Sequence, residues 1–338
     1  MRQIDLKNFH IRTDLISEII KEEEKIEGVL EERLRDDEIF VRRIKIDHKS
    51  SKKIGKKPGN YITIDYEDIT DTTSFDKVKD ILKNELKKLN ISGKKTLFIG
   101  LGNAHSTPDM LGPNTMDEIL VTSYLEEFGP LEEGFSNTAI FKPGVTGETG
   151  IETSELIKKI VESHKPEQVI VIDALASKSI ERVCKTIQIS DTGITPGSGI
   201  GNNRREISKD ILNVPVIAIG IPTVVDAISV VSDTLNFLTK EYSFQKKFLK
   251  SKKSRFVTSS QVNYLKEDIK IEKEDKEQLL GMVGLLDEEE IKTLLYEVLT
   301  PIGYNLMVTP KEIDFIIKRH VLLLSHALNE VMHPKLES

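Results

Sequence analysis

Four β-branched residues in succession, Val169-Ile170-Val171-Ile172, run straight into an acid, Asp173, and then into Ala174-Leu175-Ala176-Ser177. An apolar run without polar alternation suits a strand covered on both faces, the condition of a parallel sheet with helices packed above and below. A second run, Thr96-Leu97-Phe98-Ile99-Gly100-Leu101-Gly102-Asn103, ends in glycines and leads to Thr107-Pro108-Asp109-Met110-Leu111-Gly112-Pro113. A strand therefore ends near Gly100 and a loop begins. Two carboxylates, Asp109 and Asp173, follow two buried strands.

The rest of the chain alternates in the same way. Strands are expected over residues 38–46, 61–66, 137–143, 186–190 and 214–220. Helices are expected over 15–34, 75–89, 115–128, 151–163 and 224–238, and again over 287–296 and 310–332, where Ile313, Ile316, Ile317 and Val321 share a face. The Lys- and Gly-rich stretch 50–59 reads as a mobile hairpin connection. The fold class is α/β: a mostly parallel sheet with helices on both faces, plus a C-terminal helical extension.

Composition limits what such a chain does. With 338 residues it can bury a large core, as one big α/β domain or two smaller ones. No apolar run approaches the roughly 20 residues of a membrane helix, and no secretory apolar segment opens the sequence. A formal net charge of -7 argues against wholesale attraction to nucleic acid. Lys246, Lys247, Lys250, Lys252, Lys253 and Arg255 crowd one stretch, within a charged insertion near 240–276 that reads as a solvated face or, less favoured, a local nucleic-acid patch. The one cysteine, Cys184, allows no internal disulfide and no thiolate-ligated metal; it reads as a small buried apolar group in a reducing interior.

In open parallel sheets the reactive crevice lies at the carboxyl ends of the strands, where Asp109 and Asp173 fall. Two carboxylates held close titrate as a pair: one ionised, as base, the other protonated, to polarise a carbonyl. That suits peptide hydrolysis by an activated water, whereas an aspartate after a strand equally caps a helix, and the residues alone leave both readings open. Gly100, Gly102 and Asn103 match neither dinucleotide nor P-loop spacing, so tight backbone geometry is the plainer reading beside a phosphate cradle, which would add the 193–201 loop. His105 with Asp109, Asp173 and Glu148 offers a divalent-metal alternative to a merely solvated loop histidine. The stretch Asp191 to Asn203 is a turn series or a substrate-facing loop. Ser154, Ser177 and Ser198 lack the context of a nucleophilic serine.

These four stretches, Gly100 to Asn103, Thr107 to Pro113, Val169 to Ser177, and Asp191-Thr192-Gly193-Ile194 with Pro196-Gly197-Ser198-Gly199, together resemble the germination proteases of spore-forming bacteria. The likeness spans most of the chain. It implies an endopeptidase that degrades small acid-soluble spore proteins, requires no cofactor, and uses an aspartate pair, here Asp109 and Asp173, to activate water; which one is the base stays open. The family fold is similar to that of nickel-dependent hydrogenase-maturation peptidases, which keeps a metal site at His105, Asp109 and Asp173 as the alternative.

The likeness also implies a homotetrameric zymogen that removes its own propeptide, residues 1–14, leaving 15–338 as a single α/β peptidase domain. Thr13-Asp14-Leu15-Ile16-Ser17-Glu18 follows the substrate pattern, with Ile16 in place of the usual small residue, so the expected cut is between Asp14 and Leu15. A cytoplasmic location, in the forespore or spore core, and no membrane or direct nucleic-acid partner complete the expectation.

Overall fold

In the computed structural model, which describes residues 13–20, 26–197, 205–250, 271–299 and 306–337, the chain is built from α1 (Ile16–Ile19), β1 (Val29–Asp36), β2 (Ile39–Ile46), α2 (His48–Ile54), β3 (Gly59–Asp65), α3 (Thr72–Lys88), β4 (Thr96–Gly100), α4 (Leu111–Asp117), β5 (Thr138–Phe141), α5 (Thr146–Thr149), α6 (Thr153–His164), β6 (Gln168–Ser177), β7 (Thr186–Ser190), α7 (Lys209–Leu212), β8 (Val216–Asp226), α8 (Ala227–Lys250), α9 (Lys273–Leu280), α10 (Glu288–Leu299), β9 (Met307–Val308) and α11 (Ile313–Met332). Most of propeptide 1–14, Ser198, Gly199, Gly201, Lys252, Lys253 and Arg255 lie outside the described residues.

The chain divides into two compact units. The larger comprises Arg12–Ser177, Glu181–Val224 and Thr309–Ser338, and its strands follow the order β1-β2-β3-β7-β8-β6-β4-β5. The α/β class is as expected, with the sheet mixed rather than wholly parallel. β4 runs parallel to β5 and to β6, while β1, β2, β3, β7 and β8 pair antiparallel in succession. The parallel strands are the apolar runs: Leu97, Ile99, Val169 and Val171 pack with Ile157 and Val161 of α6, and α4 covers the opposite face. α11 packs on α3 and α4 through a buried row that includes Ile317, Val321, Leu324 and Leu328.

Four expectations change. The helix over 15–34 is the single turn α1 and then β1, an edge strand exposed along nearly its whole length, so no alternation marks it in the sequence. The stretch 50–59 holds the end of α2, whose first turn is capped by the Asp47 carboxylate through Lys49 N (2.9 Å) and Ser50 N (2.7 Å) and which ends on Gly55 at φ 73°. The helix over 115–128 breaks after Asp117 because Thr122 is tied to β5: its N–H donates to the Thr138 carbonyl (3.0 Å) and its hydroxyl to the Ser136 carbonyl (2.6 Å). Ser123–Phe128 then forms a short 3₁₀ turn.

Within the smaller unit, of which Val225–Val308 is the greater part, β9 pairs antiparallel with Val225 and Asp226 at the end of β8. The fourth change lies here. The strand persists to Asp226, whose carboxylate accepts from Ser229 N (2.8 Å) and starts α8, and α8 continues to Lys250. Lys246 (2.7 Å) and Ser243 (2.7 Å) both donate to the Asp275 carboxylate near the start of α9, so part of the charged stretch is internally paired.

Candidate active site

The site is assembled at the carboxyl ends of β4 and β6. Gly100 is the register partner of Ile172, and the Leu101 N–H donates to the Ile172 carbonyl (2.8 Å), so the chain leaving β4 passes directly beside Asp173. It folds back through the 3₁₀ turn Thr107–Asp109, which packs against β6, and the Asp109 carboxylate accepts the Asn103 N–H at 2.7 Å. Asp173 is 6% exposed and accepts from the Ala174 N–H (2.9 Å); Asp109 is half-buried. Both sequence-predicted aspartates thus stand at one end of adjacent parallel strands.

Two glycines make this packing possible. Gly102 has φ +109°, and a Cβ there would lie 2.0 Å from the Asp109 carbonyl oxygen. A Cβ on Gly112 would lie 2.3 Å from the Leu101 carbonyl oxygen and 2.5 Å from that of Ile172. The glycines of the motif therefore serve close backbone approach, seating the Asp109 turn on the sheet.

Beyond Asp173 the same strand receives the N-terminal segment. Asp14 N donates to the Ala176 carbonyl (3.1 Å), and Ala176 N donates to the Asp14 carboxylate (2.9 Å). Gln188 Nε2 (3.0 Å) and Lys56 Nζ (3.3 Å) both donate to the Asp14 carbonyl, while Ile16 N donates to Gln188 Oε1 (2.6 Å). Leu15 and Ile16 are fully buried, Ile16 with Ile20, Ile44, Ile46 and Tyr61. The Ser177 hydroxyl donates to the Glu18 carboxylate (2.7 Å), which also takes the Thr13 hydroxyl. Burial draws Lys56 below the ordinary lysine range, opposed by the negative charges of Asp14 and Glu18.

A cavity of about 340 Å³ adjoins Asp14, with Lys56, Leu175, Gln188, Thr192 and Gly193 among its walls. The 191–197 part of the glycine-rich stretch therefore faces this cleft. Its hinge is built from Gly193 at φ +84° and a bridge between Ile194 and Ile207, while the Asp191 carboxylate binds Asn60 through its backbone (2.8 Å) and side chain (2.6 Å).

The other candidates do not converge here. His105 is exposed, its N–H bound to the Asn103 side chain (2.7 Å), and Glu148 is exposed on α5. Among the described residues no three His, Cys, Asp or Glu side chains gather as a metal-binding group, so His105, Asp109 and Asp173 do not make the donor set a resident metal requires. Cys184 is buried and its thiol is pushed up to about 12 by burial, which leaves it a poor nucleophile. Ser154 is buried on α6. Among the described residues no helix is long and apolar enough to cross a membrane. Lys56 and Gln188, which sequence reasoning did not single out, are the polar residues the fold brings to the Asp14 carbonyl. Nothing in their local spacing marks them.

Acid groups at the ends of parallel strands, beside a cleft that already holds a stretch of polypeptide, form the layout of an α/β peptidase. The family model described as germination protease matches residues 7–338. The germination protease of Geobacillus sp. (strain WCH70) is 45% identical over 361 aligned residues, covering 99% of this chain and 97% of that protein. That of Bacillus thuringiensis subsp. konkukian (strain 97-27) is 43% identical, covering 99% and 96%. The chain belongs to the germination protease family.

Proposed function

We propose that this protein is an endopeptidase that opens the degradation of small acid-soluble spore proteins during germination, made as a zymogen that cuts itself between Asp14 and Leu15. In this reading one of Asp109 and Asp173 is ionised and takes a proton from water as its oxygen adds to the carbonyl carbon. The other, protonated, gives its proton to the leaving nitrogen as the C–N bond breaks. The products are a carboxylate on the acid and a free amine on the apolar residue.

The observation that carries the reading is the seat of the N-terminal segment. A sequence of acid then apolar residue is bound along β6, and the strand that holds Asp14 at Ala176 carries Asp173 three residues earlier. A tethered segment has a high effective concentration in its own cleft, so it also excludes outside substrate until it is cut. The same reading makes the protein a homotetramer of the forespore or spore core, acting without a cofactor.

The test follows the mass of the intact chain with time, alone and with a spore-protein peptide containing an acid-apolar junction. The expected result is loss of residues 1–14 and a cut peptide, both abolished in Asp109→Asn and Asp173→Asn. A wild-type chain that stays whole and leaves the peptide whole, or Asn variants that keep turnover, would overturn it. Sedimentation of the same preparations reads the assembly.

A further inference from the structure

The contacts around the Asp14–Leu15 bond differ in what they read. Gln188, on β7, brackets the bond with one side-chain amide: Nε2 donates to the Asp14 carbonyl (3.0 Å) and Oε1 accepts the Ile16 N–H (2.6 Å). This is the pattern a neighbouring strand would offer, and it touches only main chain, so it fits any residue at these positions. The acid side chain is read separately. Ala176 N–H donates to the Asp14 carboxylate (2.9 Å), and Lys56 places a positive charge beside it.

Lys56 has a second task by position. It leaves the turn after Gly55, which closes α2, and its Nζ lies 3.3 Å from the Asp14 carbonyl oxygen. That oxygen thus has two donors, Lys56 Nζ and Gln188 Nε2. It is also the atom that gains negative charge when water adds to the carbon of this carbonyl. The adjacent Lys57 turns elsewhere, to Glu206 (2.5 Å) and Asp210 (2.8 Å), which shows that a lysine in this turn has other carboxylates within its reach.

We infer that Lys56 and Gln188 are substrate-reading residues of the peptidase: Gln188 grips the backbone on both sides of the bond, and Lys56 selects an acid before the cut while sharing with Gln188 the stabilisation of its carbonyl oxygen. The inference rests on Asp14–Leu15 as the bond cleaved. Neither residue exchanges a proton in the step; each donates a hydrogen bond to an oxygen whose charge grows, which is how preorganised donors lower such barriers. The cavity of about 340 Å³ beside Asp14, walled by Lys56, Gln188 and Leu175, is then part of the seat for the residues that precede the cut.

The test uses the full chain and four forms of it: wild type, Asp14→Asn, Lys56→Gln and the double variant, with self-cleavage followed by mass. Each single change is expected to slow the cut by about tenfold or more, the scale of a lost charge-assisted hydrogen bond. The double variant is expected to be no slower than the slower single one, because both remove the same pairing. Lys56→Arg should keep the rate within a few-fold, and Gln188→Leu should slow the cut whatever occupies position 14. A latch that merely holds the segment shut predicts the opposite sign: Lys56→Gln would then be cut faster.

A wild type cut at Asp14–Leu15 whose Lys56→Gln variant is cut as fast or faster, or whose two changes simply multiply, overturns this inference alone. A wild type never cut there overturns the functional reading, and this one with it. Amide hydrogen exchange in the Asp109→Asn chain gives a second readout without turnover. Gln188→Leu should speed exchange at the Ile16 amide and Lys56→Gln at the Asp14 amide, while Lys56→Arg leaves both near the parent. Unchanged exchange in the first two variants refutes the grip.

Discussion

Gly102→Ala should disable the enzyme while leaving it folded. At φ +109° an alanine is strained by about 1–3 kcal/mol. Its Cβ would also start 2.0 Å from the Asp109 carbonyl oxygen, and relief to ordinary contact at 3.4 Å moves one of the two backbones by about 1.4 Å. The β4 side is fixed by the Leu101 N–H to Ile172 bond (2.8 Å) and by buried Leu97, Phe98 and Ile99, so the 3₁₀ turn carrying Asp109 is the part that gives. A misplacement of about 1 Å in a reacting group costs on the order of a hundredfold. The strain, by contrast, takes only part of a stability of about 5–15 kcal/mol. The assay is the rate of self-cleavage by mass beside a thermal melt by circular dichroism. The expected outcome is a rate lower by about a hundredfold or more, with the transition kept and lowered by a few degrees. A rate within threefold of wild type, with the fold intact, would refute the argument that this glycine positions Asp109.

Other consequences are as direct. His320, fully buried on α11 with its ring 2.7 Å from the Tyr66 hydroxyl, is drawn down to about 4 by burial. Its folded pKa lies below the unfolded value of 6.5, so the unfolded chain binds the extra proton between those values. Stability is therefore full above pH 6.5 and falls, by about 3 kcal/mol from this group, as pH drops through about 4. Urea melts across that range should show a shallower slope in His320→Gln, and equal slopes would rule the histidine out as the source. A strong chelator should leave self-cleavage unchanged; a loss restored by adding a divalent metal would replace the aspartate pair with metal chemistry. Glu85, held below the ordinary carboxylate range by Arg43 and Lys88 despite its burial, anchors α3 to β2 through two bonds to Arg43 (2.6 and 2.8 Å). Glu85→Leu strands the Arg43 charge in a partly buried site, so the melt should drop measurably, while Asp109 and Asp173 keep their seats and self-cleavage below the melt persists.

Asp109 and Asp173 were legible because the signals that mark them are local: an unbroken apolar run for a doubly covered strand, glycines where it ends, and an acid just past it. α3 was legible for the same reason, with Phe75, Val78, Leu82 and Leu86 buried along one face. β1 was not, since an exposed edge strand rich in Glu and Arg carries the composition of a helix, and only pairing with β2 decides it. Nor were Lys56 and Gln188. Gln188 is one polar position of an alternating strand and Lys56 one lysine among several; what distinguishes them is that β6, β7 and the turn after α2 meet at the Asp14 carbonyl. That convergence is tertiary, and no spacing within 338 residues encodes it.

A cut between Asp14 and Leu15 divides the docked segment into halves held by different forces, and this decides which half stays. Leu15, Ile16 and Ile20 are each 0–1% exposed, and burying three such side chains is worth about 1.5–3 kcal/mol apiece. Asp14 is half-buried and is held by hydrogen bonds to Ala176, Gln188 and Lys56, each contributing only about 0.5–1.5 kcal/mol net, or somewhat more where charged. Hydrolysis also puts a new carboxylate on Asp14, beside its own carboxylate and within the field of Glu18, adding repulsion on the side that lacks apolar anchorage. The Ile16 N–H bond to Gln188 is untouched. The acid side therefore leaves and the apolar side remains as the N-terminus of the mature chain, which empties the grip of Lys56 and Ala176 for the acid residue of an incoming substrate. Weakening the apolar anchor with Ile16→Ala and Ile20→Ala should loosen this asymmetry. Retained Leu15 and Ile16 amide protection after the cut in both parent and variant would show that something other than the buried side chains holds that half.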